Sequence, residues 1–264
     1  MLYEFLTCCA LHTDAILVQR ACQEVMSSHN FRRALAIILS LGNRVNTHND
    51  SHAPQSVQAI TLDSLVVLNQ TKAFDRQTTF LQYAASVVRK CAPDVLDWKQ
   101  EDMPTLRRAH KIKWKLWQAE VDLMEAKLSS LRAYCPHRGS SGSVASATSD
   151  ATMTSPIWSF LYRAEVDLQD LRLEGNQTTH ALTTLWQYFG ETYPSPDRCD
   201  SILGRLVLFG YHWERALETV ARRERESRRN ARPTPDDPTL SPCSSKESRL
   251  SSLLSVSPSY AHEV

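Results

Sequence analysis

The chain has 264 residues with 30 Lys and Arg against 29 Asp and Glu, a formal net charge of +1, and only 7 glycines. Scarce glycine, and no alternating β-branched runs, disfavour an all-β sandwich or barrel. A hydrophobic share of 42% argues against wholesale disorder, and the balanced charge excludes a broad basic surface that would by itself suggest nucleic acid. A mostly helical protein of one or two domains remains, at roughly 150 residues per domain.

The seven cysteines (Cys8, Cys9, Cys22, Cys91, Cys135, Cys199, Cys243) form no C-x-x-C pair. An odd number at scattered spacing supports neither a disulfide framework nor a zinc cluster, so they read as reduced, mostly packing side chains. Residues 1–11 lack a basic leader and carry Glu4, which makes a poor signal peptide. No apolar run approaches the roughly 18 residues that span a bilayer. Without secretion the sequons at Asn49, Asn69 and Asn176 are chance matches. The expectation is a cytoplasmic protein with no membrane partner.

In chain order, helical spacing begins at Ala15. Val18, Ala21, Cys22 and Val25 share one face and, beyond the break at Ser27-Ser-His-Asn30, so do Phe31, Leu35, Ile38 and Leu39. Gly42-Asn43 is expected to end the second helix, because both residues tolerate the left-handed conformation. Residues 46–58 form a polar loop with Pro54. A short helix then points Leu62, Leu65, Val66 and Leu68 inward. Asp75 is the expected N-cap of the next helix, whose buried stripe is Phe80, Leu81, Ala84, Val87, Val88 and Cys91, ended by Ala92-Pro93.

From Pro104 to Tyr134 one long helix of about 45 Å is expected. Its seam, Ala109, Ile112, Leu116, Ala119, Leu123 and Ala126, follows a heptad, and a second stripe runs beside it through Trp117, Val121, Met124, Leu128 and Leu131. Residues 136–156, rich in Ser, Thr, Gly and Ala, suggest a flexible loop. The seam resumes at Ile157, Leu161, Ala164, Leu168 and Leu171 and continues through Leu182, Leu185 and Phe189, interrupted at Gly175 and Thr178. Two such helices can fold back as an antiparallel pair. After the turn Tyr193–Asp197, a last helix buries Ile202, Leu206, Phe209, Trp213, Ala216, Leu217 and Val220. Pro233 to Val264 is a Pro- and Ser-rich tail with a disordered composition.

No catalytic signature is present: no phosphate-cradling glycine loop, no G-x-S-x-G and no H-E-x-x-H. His48 and His52 are four apart, but in a polar loop with Pro54 they read as solvated residues rather than metal ligands. The six tryptophans fall mostly on helical stripes and read as packing groups. Six arginines and two glutamates between Arg222 and Arg232 suggest a solvated helix end, with an acidic partner as the alternative. The chain reads as no enzyme, with no cofactor and no metal.

Leu39-Ser-Leu-Gly-Asn-Arg-Val-Asn46 resembles the "L-x-L-G-N-x-M-N" signature of the formin homology-2 domain, the actin-assembling module of formins. Thr61-Leu-Asp-Ser-Leu-Val-Val-Leu-Asn-Gln-Thr-Lys72 is similar to its "L-x-S-L-x-x-L-x-x-T-K" segment, and Ala73 to Tyr83 to its "S-x-D-x-K-x-T-L-L-H-Y". Ala21 to Phe31, Cys91 to Leu96, Tyr188-Phe-Gly-Glu191 and Phe209 to Ala216 follow in family order. The resemblance covers roughly residues 15 to 225 and the later half of the domain.

That resemblance implies an all-α fold: an elongated helical bundle with a long antiparallel helix pair, like the coiled-coil and post part of the domain. Residues 1–232 would be a partial formin homology-2 domain and 233–264 a disordered tail. In the family a lasso from one subunit wraps the post of the other around the actin barbed end. Gly42, Asn43 and Asn46 would be the lasso acceptor, and Lys72 the post lysine that contacts actin. Lys72 is expected to end a short helix, where a cation complements the dipole. The implied partners are actin and a formin-type dimer partner supplying a lasso, with a place in the cytoplasmic actin cytoskeleton.

The sequence also departs from the family. No lasso, tether or intact knob is expected before residue 15, Gln77 and Gln82 replace a lysine and a histidine, and Ala59-Ile60 replaces Gly-Phe. Weak activity by the chain alone is therefore expected. The alternatives are a non-enzymatic helical scaffold that has lost actin binding, or a fragment of a longer formin.

Overall fold

The computed structural model describes residues 2–47, 57–72, 77–134, 156–191, 198 and 200–230. Among these the chain is all-α, and its one extended pairing is a single antiparallel bridge between Lys72 and Thr79. The helices are α1 (Leu2–Ser27), α2 (His29–Thr47), α3 (Leu62–Val67), α4 (Phe80–Cys91), α5 (Trp98–Glu101), α6 (Leu106–Ala109), α7 (Trp114–Tyr134), α8 (Pro156–Tyr188) and α9 (Ser201–Asn230), with a 3-10 turn at Pro93–Val95. No described helix is long and apolar enough to cross a membrane.

Ser28 separates α1 from α2. Its hydroxyl accepts the Phe31 N–H at 3.0 Å, the N-cap bond of α2, and donates to Asp102. The aligned face of α1 is buried, as the spacing predicts, and the structure packs it on α8: Ala15, Val18, Ala21, Cys22 and Val25 are buried together with Leu168, Leu171, Leu182 and Leu185. Within that contact Gln19 Nε2 donates to Thr178 Oγ1 at 2.9 Å, so these two polar side chains in the seam are paired rather than stranded. A second focus of the core is aromatic. Trp98 stacks on Phe209 at 6.1 Å and meets Phe31 at 4.7 Å, and Trp213 donates to the Leu96 carbonyl at 3.4 Å.

The predicted long helix from Pro104 to Tyr134 is interrupted. The last turn of α6 tightens, with Lys111 N–H on the Arg108 carbonyl and Ile112 N–H on the Ala109 carbonyl, and α7 starts afresh at Trp114. Arg107, Lys111 and Lys115 stand four apart, and each like-charge pair on a continuous helix would cost a few tenths of a kcal/mol. Within α7, Trp114 and Trp117, three residues apart, stack at 4.4 Å.

The stripe that α7 buries is the second one. Trp117 and Val121 are buried and Met124 and Leu128 half-buried, whereas Leu116 is 68% and Leu123 47% exposed, with Ala119 and Ala126 exposed too. Indoles and Val bring more apolar area than a seam with two alanines, at about 25 cal/mol per Å², so they take the inner face.

α7 and α8 do run antiparallel: Arg132 pairs with Glu165, Arg172 with Asp122 and Glu125, and Trp114 donates to Thr179. Gly175 and Thr178, expected to interrupt the seam, lie within one continuous helix. A Cβ on Gly175 would stand 2.8 Å from the Trp117 ring, so glycine is what lets that indole reach α8.

Two cysteine expectations need correction. Cys91 is exposed at the last position of α4, and Cys9 is exposed as well, so among the described cysteines only Cys22 is fully buried. The expectations for Asn49, His48, His52 and Pro54, for the loop 136–155, for the turn 193–197, for Cys135, Cys199 and Cys243, and for the domain boundary and tail beyond residue 230 lie outside the described residues. Residues Met1–Arg222 form one compact unit. Of the second, Arg223–Val264, the described part is the end of α9, largely exposed.

Candidate functional site

Lys72, Gly42, Asn43 and Asn46 are carried by α2 and by the segment between α3 and α4. Gly42 does not end α2. The helix runs on to Thr47, and Gly190 is the described glycine with a left-handed backbone, at φ 66°. Gly42 sits inside the helix with the Phe80 ring 4.0 Å from where its Cβ would be, an ordinary contact. Asn43 acts through its side chain: Nδ2 donates to the Val57 carbonyl at 2.7 Å, and Oδ1 accepts the Val57 N–H at 3.0 Å. The amide thus pairs with an extended backbone as a neighbouring strand would, fixing where the chain returns after residues 48–56. Asn46 lies one turn further along α2, four residues from Gly42.

Lys72 is exposed and lies five residues beyond the end of α3 rather than at its last turn, which contains no basic residue. The dipole argument for it therefore fails. What fixes its backbone is the pairing of two short segments. The bridge to Thr79 holds Lys72 itself, while Phe80 N–H donates to the Thr71 carbonyl at 2.7 Å and Leu81 N–H to the Leu68 carbonyl at 3.3 Å.

Thr79, not Asp75, caps α4. Its hydroxyl accepts the Gln82 N–H and the Gln82 side chain accepts the Thr79 N–H, each at 3.2 Å, closing a capping box. Gln82, a departure from the family pattern, thus has a local structural task. Phe80 joins the two groups of residues, with its ring against Gly42 and its N–H bonded to the residue before Lys72.

Behind this surface is a polar hub that the sequence reading named only as part of a string. Gly190 closes α8 with Gly190 N–H on the Gln187 carbonyl at 2.8 Å and Glu191 N–H on the Trp186 carbonyl at 3.1 Å, the Schellman arrangement that needs a left-handed residue. That turn delivers Glu191 to the start of α3, where Oε1 accepts the Leu62 N–H at 2.8 Å. A carboxylate there satisfies an otherwise orphaned donor and complements the positive end of the helix.

Arg205 on α9 reaches Asp63 at 2.9 Å and Glu191 at 3.4 Å, with its guanidinium 5.4 Å from the Trp186 ring centre. Asn69 meets His212 at 3.2 Å. Together these contacts tie α3, and through it the Lys72 segment, to α8 and α9. The readable signals were the Phe-Gly-Glu string and the Thr-x-x-Gln spacing; Arg205 left none.

The arrangement presents an exposed lysine and a rigid polar frame, a surface suited to binding. Among the described residues no group of three His, Cys, Asp or Glu side chains converges to hold a metal ion.

The model of the Formin Homology 2 Domain matches residues 6–208. The chain is 27% identical over 214 residues to Formin-like protein 3 of Oryza sativa subsp. japonica, covering 80% of this chain and 16% of that protein. It is 26% identical over 218 residues to Formin-like protein 13 of Arabidopsis thaliana, covering 81% of this chain and 16% of that protein. Protein diaphanous homolog 3 of Homo sapiens is 29% identical over 118 residues, 45% of this chain and 10% of that protein. The chain therefore spans less than a fifth of the length of each of these three relatives.

Proposed function

The chain belongs to the formin homology 2 family, and on that premise we propose that it takes part in actin filament assembly by contacting filament barbed ends. The observation that carries this reading is the family match over residues 6–208, within which the motif residues Gly42, Asn43, Asn46 and Lys72 all fall. Lys72 is the actin contact. It is exposed, held at the backbone by the Thr79 bridge, and its charge suits an acidic partner surface. Gly42, Asn43 and Asn46 form the acceptor for a lasso from a second formin-type chain. The role is one of binding and assembly rather than catalysis, and it places the protein in the cytoplasmic actin cytoskeleton.

Co-sedimentation of the purified chain with actin filaments tests the reading. Binding that Lys72→Asp weakens about tenfold supports it, since loss of one well-placed charge contact and its reversal cost on the order of 1–2 kcal/mol. No binding at low salt would favour a helical scaffold without actin contact.

A further inference from the structure

We propose that the groove between α1 and the connection from α6 to α7 docks an acidic amphipathic helix of a protein partner. The groove has a volume of about 630 Å³, and its apolar floor is made by Leu11, Ile112, Leu116 and Trp117. Leu116 is 68% exposed, which leaves an apolar side chain of full size at the mouth without cover. From there the apolar surface continues along α7 through Ala119, Leu123 and Ala126, all exposed, at steps of three and four. Ten residues of helix give this stripe a length of about 15 Å, two to three turns of a partner helix. It is the heptad seam that α7 does not use to bury itself against α8, so its pattern has no partner within the described residues.

Charge identifies the occupant. From Arg107 to Lys115 the chain holds five Lys and Arg residues, with His110, and no acidic residue, although the whole chain is balanced at +1. Arg108, Lys111 and Lys113 line the groove from this wall. Lys113 is drawn toward Asp200 at 3.7 Å, whereas Arg108 and Lys111 have no ion pair among the described residues. Asp14 on α1 and Glu120 on α7 are the two acidic groups at the groove, and its cations, Arg108, Lys111 and Lys113, all lie on the stretch from α6 to the start of α7. Cations at the start of a helix are unfavourable with its dipole and are relieved by an anionic ligand. A helix with apolar residues at i, i+3 and i+7 and with Glu or Asp toward that wall satisfies both features. A basic helix satisfies one and is repelled by the other.

The test uses the full chain and a fluorescein-labelled synthetic peptide of about 18 residues, with leucines on one helical face and glutamates elsewhere, followed by fluorescence anisotropy. Saturable binding is expected, weakened about tenfold by the pair Arg108→Glu and Lys111→Glu and about tenfold by Leu116→Asp. All three positions are exposed, and unchanged circular dichroism excludes unfolding as the cause. A peptide of the same composition with its leucines scattered around the helix is expected to bind at least about tenfold more weakly. Absence of binding, equal binding of the scattered peptide, or affinity unmoved by the charge reversals would overturn the proposal. So would phosphatidylserine vesicles that bind the chain and displace the peptide equally well from the wild type and from Leu116→Asp. The measurement contains no actin, so its failure leaves the barbed-end reading standing, and the converse holds as well.

Discussion

The Glu191 carboxylate accepts the backbone N–H of Leu62 at 2.8 Å, joining the turn that closes α8 to the first residue of α3 across 129 positions of sequence. Replacing Glu191 by Ala leaves that donor unpaired and removes one of the two carboxylates facing Arg205. The expected loss of stability is about 1–3 kcal/mol, the cost of stranding a partly buried hydrogen-bonding group, read as a lower midpoint in denaturant unfolding. An unchanged midpoint would remove Glu191 from the frame behind Lys72.

At Gly190 the cost is in the backbone. Its φ of 66° closes α8, and no atom lies within 4 Å of where a Cβ would stand. Gly190→Ala should therefore destabilise by only about 1 kcal/mol, through the left-handed backbone rather than through a clash.

Gly175 presents the opposite case. Its backbone is helical, but a Cβ would stand 2.8 Å from the Trp117 ring, whose indole N–H donates to the Leu11 carbonyl at 2.8 Å. Gly175→Ala is expected to cost about 1–3 kcal/mol by displacing a buried indole, despite the better helix propensity of alanine. Tryptophan fluorescence and thermal unfolding report it together: a shifted emission with a midpoint lower by several degrees is the expected result.

Asn43→Ala should act locally. Both of its bonds to Val57 are exposed, so global stability falls by no more than about 1 kcal/mol while the Val57 amide loses protection. Hydrogen exchange at Val57 measures this directly, and retained protection would mean that the clamp is not formed in solution.

Glu174 gives a pH dependence. Desolvation by burial raises its pKa, Asp170 adds to the rise, and His12, with Nδ1 2.7 Å from the carboxylate, opposes it. A carboxyl whose folded pKa lies above its unfolded value favours folding in its protonated form. Its contribution is therefore present at acid pH and is lost as pH rises from the unfolded value through the folded one. Glu174→Gln should gain stability relative to the wild type as pH rises through that window, and urea unfolding at about pH 4 and pH 7 compares the two. A constant difference between the variants would contradict the raised value.

The sequence exposed the helices well, because spacing of apolar residues is a local signal that packing seldom overrides. On α7 it exposed two stripes, read as facing two neighbours, and the structure buries only the second among the described residues. The choice depends on where Gly175 opens room for Trp117, which is a property of the partner helix. Gly42 looked like a helix stop because Gly-Asn tolerates left-handed backbone, yet α2 stays helical to Thr47. Gly190, within an already quoted string, is where that freedom is used. The motif around Lys72 was legible, but its support was not. The bridge to Thr79, the capping box and the Glu191–Arg205 hub join segments distant in sequence, and Arg205 lies in no recognisable pattern. The basic wall at Arg107–Lys115 was hidden by a net charge averaged over the whole chain.

Single-filament fluorescence microscopy of actin elongation, with the purified chain added to growing filaments, tests the central claim most directly. The account predicts that barbed-end elongation is altered by the wild-type chain in a saturable way, and that Lys72→Asp shifts the half-effective concentration upward about tenfold with its circular dichroism unchanged. Barbed-end growth unaffected at every concentration of the wild-type chain would contradict it.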